Sequence, residues 1–232
     1  MSDAGAIRTV LFDAGGVLVQ LDLPYLRRLV EAKRIDVEPQ ALVAAEAAAR
    51  REVHRMVESG GRVGSAWRDY FHLILGKIGL PGPEQSAVID SLWDAHERFG
   101  LWTVASEGGP ETVSALRESG LRLGVVSNAE GRVERDLETA GYKGAFDTIV
   151  DSHHVGVEKP DPAIFGIALE RLGVDPEATV YVGDLPAVDV QGARAAGIRA
   201  ILVDPHDHYA DCDAPRIRTL RELPDLLARG IA

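Results

Sequence analysis

The stretch VLFDAGGVLV, residues 10–19, decides the fold of the chain. Its first three residues are apolar and predict the end of a short buried strand, and the carboxylate of Asp13 follows that end directly. Gly15 and Gly16 come next, before a second apolar run. Because ligands bind at the carboxyl ends of the strands in an open parallel sheet, Asp13 is a candidate functional residue.

Four further apolar runs have the length of buried strands. The five predicted strands are Thr9–Phe12, Arg122–Val126, Phe146–Val150, Thr179–Val182 and Arg199–Val203. From the second strand onward, a helix-length amphipathic stretch follows each strand but the last; these stretches are Glu130–Ala140, Pro162–Leu172 and Val188–Ala196. Strands that alternate with helices predict right-handed crossovers and a parallel sheet with helices on both faces. We therefore expect an α/β fold with a Rossmann-like sheet.

Residues 20–102 interrupt this alternation with a segment in which we predict only helices. One helix begins at Glu38-Pro39, and two more cover Ser65–Ile78 and Glu84–Phe99. In the first of these, Glu46, Arg50, Arg51 and His54 are expected on the solvated face, opposite Leu42, Ala45, Ala49, Val53 and Met56. The sequence thus predicts a core of residues 1–19 and 103–232 with an inserted α-helical cap of residues 20–102.

Composition restricts the class of protein and its partners. The chain has 232 residues, of which 46% are hydrophobic, so it is too apolar for a disordered protein. A formal net charge of −11 argues against nucleic acid as a partner, because binding its phosphates needs clustered Lys and Arg. The single cysteine, Cys212, rules out an intramolecular disulfide and fits a reducing compartment. No apolar run has the length of a signal peptide or a membrane span, so we expect a cytoplasmic protein, either monomeric or dimeric.

Polar side chains follow the predicted strands at one edge of the sheet. In chain order they are Asp13, Ser127, Asn128, Lys159, Asp184, Asp189 and Asp204. Several carboxylates in one site repel each other, so the cluster needs a cation to balance it. Oxygen ligands that share their cation with a phosphate suit Mg²⁺. The pattern predicts a phosphoryl-transfer site, with one carboxylate as nucleophile and Lys and Ser binding the phosphoryl oxygens.

Four segments resemble the ordered motifs of the haloacid dehalogenase-like (HAD) hydrolases. They are FDAGGVLV, VVSNA, VEKPDPAIF and VYVGDLPAVDVQGARAAG, beginning at residues 12, 125, 157 and 180. The resemblance implies that Asp13 is the nucleophile and forms an aspartyl-phosphate. It implies that Ser127 and Asn128 bind the phosphate, and that Lys159 holds the phosphoryl charge and steadies Asp13.

The same resemblance implies a Mg²⁺ site. Asp13, Asp184 and the backbone carbonyl of Gly15 would be ligands, and Asp189 would support either the metal or Lys159. The FDxGGVLV pattern is similar to that of a sugar-phosphatase-like branch of the family. We therefore expect a Mg²⁺-dependent phosphomonoester hydrolase that acts on a small phosphorylated metabolite such as a sugar phosphate, with the cap selecting the substrate.

Gly15 departs from the pattern of most phosphatases in this family, which have a second Asp at this position. That Asp protonates the leaving group and then activates water, and Gly15 can do neither; such help is typically worth about 10²–10⁴ in rate. Three explanations stay open: a leaving group that needs little protonation, a substitute from the cap, substrate or an ordered water, and a slow or purely phosphate-binding protein. The cap offers His54, His72 and His96 as substitutes. We expect both glycines to permit a tight turn with positive φ, which would leave no acid there as a consequence.

Two rival functions follow from the same residues. DAGG is similar to the DAYG of 2-haloacid dehalogenases, which use no metal, but the Gly183-Asp184 pair weighs against that group. A non-catalytic phosphate-binding module is the other rival, because Gly15 removes an acid. His206, His208 and Cys212 match no closed zinc pattern, so we expect a surface loop there and assign it no role.

Overall fold

The structure, a computed structural model, describes residues 6–60 and 66–231. The chain divides into two compact units. Met1–Gln20 and Thr103–Ala232 form the first, and Leu21–Trp102 forms the second. Across the described residues, no helix combines the length and the apolar character that a membrane span requires.

Six parallel strands form the central sheet of the first unit. In chain order the strands of the structure are β1 (Thr9–Phe12), β2 (Val19–Leu21), β3 (Trp102–Ala105), β4 (Arg122–Ser127), β5 (Thr148–Asp151), β6 (Thr179–Gly183), β7 (Arg199–Val203) and β8 (Arg216–Ile217). The sheet has the order β5-β4-β1-β6-β7-β8, while β2 pairs with β3 in a separate two-stranded sheet. Every pair in the six-stranded sheet is parallel. This confirms the predicted α/β class and places β1 at the centre.

In the described residues, helices lie between the strands along the chain. They are α1 (Leu23–Glu31), α2 (Pro39–Glu58), α3 (Ala66–Lys77), α4 (Gly82–Phe99), α5 (Gly109–Glu118), α6 (Val133–Thr139), α7 (Ser152–Val155), α8 (Pro162–Leu172), α9 (Gln191–Ala195) and α10 (Leu223–Arg229). The bounds of α8 match the prediction because both ends have strong signals. The Asp161 carboxylate accepts the backbone N–H of Ala163 at 2.9 Å, and Gly173 ends the helix in the left-handed conformation.

Some elements of the first unit differ from the prediction. The helix expected from Glu130 begins at Val133, because Gly131 has a φ of +86° and cannot belong to a helix. The helix expected over Val188–Ala196 is a wide π-type turn at Pro186–Val190 followed by α9. β5 begins two residues later than predicted. β8, which completes the six-stranded sheet, was not predicted, because its two residues are too few to give a periodic signal.

The second unit consists of helices α1 to α4 around its own apolar core. Leu42, Phe71, Ile74 and Leu92 are among its fully buried side chains. α3 and α4 have nearly the predicted bounds, although the predicted first residue of α3, Ser65, lies outside the described residues. α1 was not predicted.

The polar face predicted for α2 was partly wrong, because Glu46 and His54 are buried. Glu46 Oε1 accepts hydrogen bonds from Arg50 Nε and from the Tyr70 hydroxyl, both at 2.6 Å. These donors satisfy the carboxylate, so its burial is tolerated. Burial lowers the pKa of His54, although Glu58, at 3.4 Å, acts in the opposite direction.

Candidate active site

The register of the central strands brings three motif residues to one edge of the sheet. Phe12 pairs with Val125 of β4 on one side and with Val182 of β6 on the other. Asp13 follows Phe12 and therefore lies beside the carboxyl ends of both neighbouring strands. Ser127 ends β4, and Asp184 follows the last residue of β6.

The Asp13 carboxylate is held through one of its oxygens. Oδ1 accepts hydrogen bonds from the Ala14 N–H at 2.7 Å and the Ser127 hydroxyl at 2.9 Å, and Lys159 Nζ lies 2.9 Å from it. Among the described residues, none donates to Oδ2. Oδ2 is therefore the oxygen that is left to bind a cation or attack an electrophile.

Lys159 is as deeply buried as Asp189, with an exposed fraction of 1%. Its Nζ contacts Asp189 Oδ1 and the Tyr181 hydroxyl, both at 2.8 Å, besides Asp13. Burial alone would lower the pKa of Lys159, but the Asp13 and Asp189 carboxylates outweigh it and raise that pKa. Burial in turn raises the pKa of Asp13, and the Lys159 ammonium opposes that shift. The two carboxylates thus favour the charged form of Lys159.

Asn128 holds the backbone of Lys159 at two points. The Asn128 side-chain Nδ2 donates to the Lys159 carbonyl at 2.9 Å, and its Oδ1 accepts the Lys159 N–H at 2.7 Å. The side chain predicted to bind phosphate is therefore engaged with the segment that carries Lys159.

Asp189 occupies the centre of the hydrogen-bond network. Its Oδ1 contacts Lys159 and Tyr181, and its Oδ2 accepts the backbone N–H groups of Asp184 at 3.0 Å and Leu185 at 2.9 Å. Gly183 makes this arrangement possible, because a Cβ at that position would lie only 2.3 Å from the Cβ of Asp189. Glycine at 183 is therefore required for the close approach of Asp189 to β6.

Three of the predicted metal ligands lie together. Asp13, Asp184 and Asp189 are buried, and each offers a carboxylate oxygen within 4.8 Å of the others. Three carboxylates against one lysine leave two negative charges in excess. An all-oxygen set with this excess fits Mg²⁺. Because both Asp189 oxygens already accept hydrogen bonds, Asp189 is the weakest candidate for a direct ligand.

The turn after Asp13 corrects the prediction for its glycines. Gly16 has a φ of +81°, as predicted, but Gly15 is not among the positive-φ glycines of the described residues. Gly16 donates its N–H to the Val19 carbonyl at 2.8 Å. The backbone conformation thus favours glycine at 16 and does not by itself require glycine at 15.

Sequence reasoning missed Tyr181, whose hydroxyl contacts Lys159 and Asp189. A tyrosine in an apolar strand has the pattern of a core residue, so only its hydroxyl could have indicated a polar partner.

The loop after β7 does not join the carboxylate cluster. The buried Asp204 accepts the backbone N–H groups of His208 at 2.8 Å and Tyr209 at 2.9 Å, and so organises this loop. His206 and His208 have ring centres 5.2 Å apart, but within the part of the chain described they and Cys212 do not complete a group of three metal-ligating residues.

Comparison with known proteins gives a family match over residues 7–197, to the model described as haloacid dehalogenase-like hydrolase. A mouse protein, haloacid dehalogenase-like hydrolase domain-containing protein 3, is 34% identical over 165 residues. That match covers 69% of this chain and 65% of the mouse protein, so it spans just under two thirds of that relative. Glyceraldehyde 3-phosphate phosphatase from Methanopyrus kandleri is 32% identical over 200 residues, covering 85% of this chain and 84% of the enzyme.

Solved structures share the fold. A HAD hydrolase from Bacillus subtilis, YfnB, described as bound to magnesium, has a TM-score of 0.73 at 23% identity over 96% of this chain and 99% of that one. At this identity the likeness concerns the fold alone. A 2-haloacid dehalogenase from Pseudomonas syringae has a TM-score of 0.59 at 27% identity, with coverage of 96% and 99%.

Proposed function

The chain belongs to the haloacid dehalogenase-like hydrolase family, and we propose that it is a Mg²⁺-dependent phosphomonoesterase that acts on a small phosphorylated metabolite. The observation that carries the proposal is the buried cluster in which the Ser127 hydroxyl and the Lys159 ammonium both lie 2.9 Å from one oxygen of Asp13. A nucleophilic carboxylate beside two phosphate-binding donors is the arrangement that phosphoryl transfer requires. Several relatives carry phosphatase names, including the enzyme from Methanopyrus.

In the first step Asp13 attacks phosphorus, an Asp13–phosphorus bond forms and the ester oxygen leaves with its electron pair. Ser127 and Lys159, which contact Asp13 Oδ1 before substrate binds, donate to the phosphoryl oxygens in this step and so stabilise the charge that develops there. Asn128 keeps the Lys159 backbone in place through its two hydrogen bonds. In the second step water breaks the Asp13–phosphorus bond, and inorganic phosphate and the free carboxylate result.

Asp13 and Asp184 would hold Mg²⁺, with the backbone carbonyl of Gly15 as a third ligand and Asp189 as support. When bound, the ion neutralises excess carboxylate charge and stabilises charge on the transferring phosphoryl group. The acidic cluster needs such a cation, because its single lysine leaves two negative charges unbalanced.

Gly15 determines which substrates turn over fastest. Without an acid at this position, the leaving oxygen departs without a proton from Asp, so esters with acidic leaving groups should be favoured. We propose that the helical unit, Leu21–Trp102, acts as the cap that selects the substrate. The single cysteine supports a reducing compartment, and we propose the cytoplasm.

A screen of phosphorylated metabolites, assayed for phosphate release with Mg²⁺ and with EDTA, tests the proposal. We expect Mg²⁺-dependent turnover in the wild type and its loss in Asp13→Asn. Asp213→Asn is the matched control, because Asp213 is an exposed carboxylate paired with Arg194. Robust phosphate release by Asp13→Asn would overturn the covalent mechanism.

The second candidate is a 2-haloacid dehalogenase, favoured by Gly15 and by the structural likeness to the Pseudomonas enzyme. Asp184 beside Asp13 argues against it, because a dehalogenase needs no metal-binding carboxylate there. Release of chloride from 2-chloropropionate in the presence of EDTA would show that the protein is a dehalogenase. If neither phosphate nor chloride is released, and beryllium fluoride with Mg²⁺ still binds at Asp13, the protein is a phosphate-binding module.

A further inference from the structure

Tyr181 lies in the middle of β6, inside the sheet of the first unit. Its side chain is fully buried, and its ring packs edge-on against Phe165 with centres 4.9 Å apart. In register it pairs with Leu11 of β1, yet its hydroxyl lies 3.0 Å from the carbonyl of Val126 in β4. The side chain therefore reaches across the central strand to the residue that precedes Ser127.

The buried ammonium of Lys159 needs three acceptors, because it has three N–H donors and no access to water. Two are carboxylates, Asp13 and Asp189. The third is the hydroxyl oxygen of Tyr181 at 2.8 Å. Before substrate binds, these three acceptors set the direction of each N–H, and Asp189 and Tyr181 remain as acceptors when the third N–H moves to the phosphoryl group.

We propose that Tyr181 is a positioning residue, which orients the Lys159 ammonium toward Asp13 and the phosphoryl group. This inference rests on the proposed phosphatase function. Tyr181 acts through Lys159 and does not touch the substrate.

The hydroxyl hydrogen gives Tyr181 a second contact. Since the oxygen accepts from Lys159, its hydrogen points to the Val126 carbonyl at 3.0 Å or to Asp189 Oδ1 at 3.2 Å. Burial, with Asp189 adding to it, raises the pKa of Tyr181 well above its ordinary value, so the hydroxyl keeps this hydrogen. One side chain thus links the strand that ends at Ser127 with the lysine and with Asp189.

Tyr181→Phe removes the hydroxyl and keeps the ring against Phe165. We expect kcat on the best substrate of the screen to fall about tenfold, because a misdirected ammonium loses part of a charge-assisted hydrogen bond in the transition state. KM should change less than about twofold, because the phosphate still meets Ser127 and Lys159. Tyr70→Phe is the matched control: it removes another buried hydroxyl bound to a carboxylate, that of Glu46, in the second unit.

A second measurement does not depend on activity. The chain has four lysines, and Lys33, Lys77 and Lys143 are exposed, so a slowly exchanging ¹⁵N-lysine ammonium signal belongs to Lys159. We expect Tyr181→Phe to accelerate hydrogen exchange of this signal at least tenfold, and Tyr70→Phe to leave it unchanged. If Tyr181 contributed only the packing of its ring, which phenylalanine keeps, the exchange rate of this signal would not change.

The two measurements separate the two ideas. If the wild type hydrolyses no phosphate, the proposed function fails, and the exchange of the ammonium signal still decides whether Tyr181 orients Lys159. If Tyr181→Phe leaves the exchange rate unchanged, or lowers kcat and raises KM together with a matching loss of folded protein, the positioning role is wrong even for an active phosphatase.

Discussion

Replacement of Asp189 by Asn should destabilise the protein even when no metal is bound. The carboxylate is 1% exposed, as is the side chain of Lys159, and it accepts from Lys159, Tyr181 and two backbone N–H groups. An amide in its place can turn its oxygen either to Lys159 or to the N–H groups of Asp184 and Leu185. In both orientations the new NH₂ faces donors, so at least one buried donor loses its acceptor.

The size of the effect follows from burial and distance. Loss of one partner from a buried ion pair costs about 3–5 kcal/mol. Relief of repulsion from Asp13 and Asp184, whose oxygens lie within 4.8 Å of those of Asp189, offsets part of the lost attraction to Lys159 at 2.8 Å and favours the lower end of this range. We therefore expect a loss of about 3 kcal/mol, a large part of the ~5–15 kcal/mol typical of a folded protein.

Urea unfolding in EDTA measures this loss without a contribution from Mg²⁺. Asp213→Asn is the control: its pair with Arg194 is as short, at 2.6 Å, but both side chains are largely exposed, so no detectable change is expected. If Asp189→Asn is as stable as the wild type in EDTA but no longer gains stability from Mg²⁺, then Asp189 is a direct metal ligand and our assignment of it as the centre of the network is wrong.

Three further substitutions test separate parts of the site. Asp184→Asn should remove most of the rise in melting temperature that Mg²⁺ gives the wild type, and an unchanged rise would exclude it as a ligand. Gly183→Ala places a Cβ 2.3 Å from the Cβ of Asp189 and should abolish activity, whereas Gly166→Ala in α8, with nothing within 4 Å, should be neutral or stabilising by about 0.5–1 kcal/mol. Gly15→Asp should raise kcat more for alkyl phosphates than for p-nitrophenyl phosphate, by up to about 10²-fold, because only the former need a proton on the leaving oxygen. Equal effects on both would show that the new Asp does not protonate the leaving oxygen.

The sheet and the convergence of the site residues were predictable from the sequence, because local signals determine both. Buried parallel strands are continuous apolar runs, so β1, β4, β6 and β7 could be identified with almost the observed bounds. Once the strands are known to be parallel, the residues after them must meet at one edge. This rule predicts that Asp13, Ser127 and Asp184 lie close together.

The partners within the site could not be predicted, because they depend on contacts between distant segments. The Asn128 amide could bind phosphate or backbone, and only the position of Lys159 shows that it holds backbone. Tyr181 has the pattern of a core tyrosine until its reach across β1 is known. The predicted exposure of Glu46 and His54 was wrong for the same reason: helical periodicity predicts a face, and the packing of α1 and α3 against α2 then decides how much of that face is buried.

Position 15 shows how structure changes the interpretation of a sequence departure. The adjacent glycines suggest one cause, a tight turn that excludes any side chain, and the missing acid would then be a by-product of the backbone. The structure distinguishes the two glycines, because Gly16 has a positive φ of +81° and Gly15 does not have a positive φ. Since position 15 lacks this constraint, an aspartate there would not be excluded by the backbone conformation. The backbone conformation therefore does not explain the missing acid, and the comparison of alkyl phosphates with p-nitrophenyl phosphate in Gly15→Asp tests the alternative that the protein's own substrate needs no proton on its leaving oxygen.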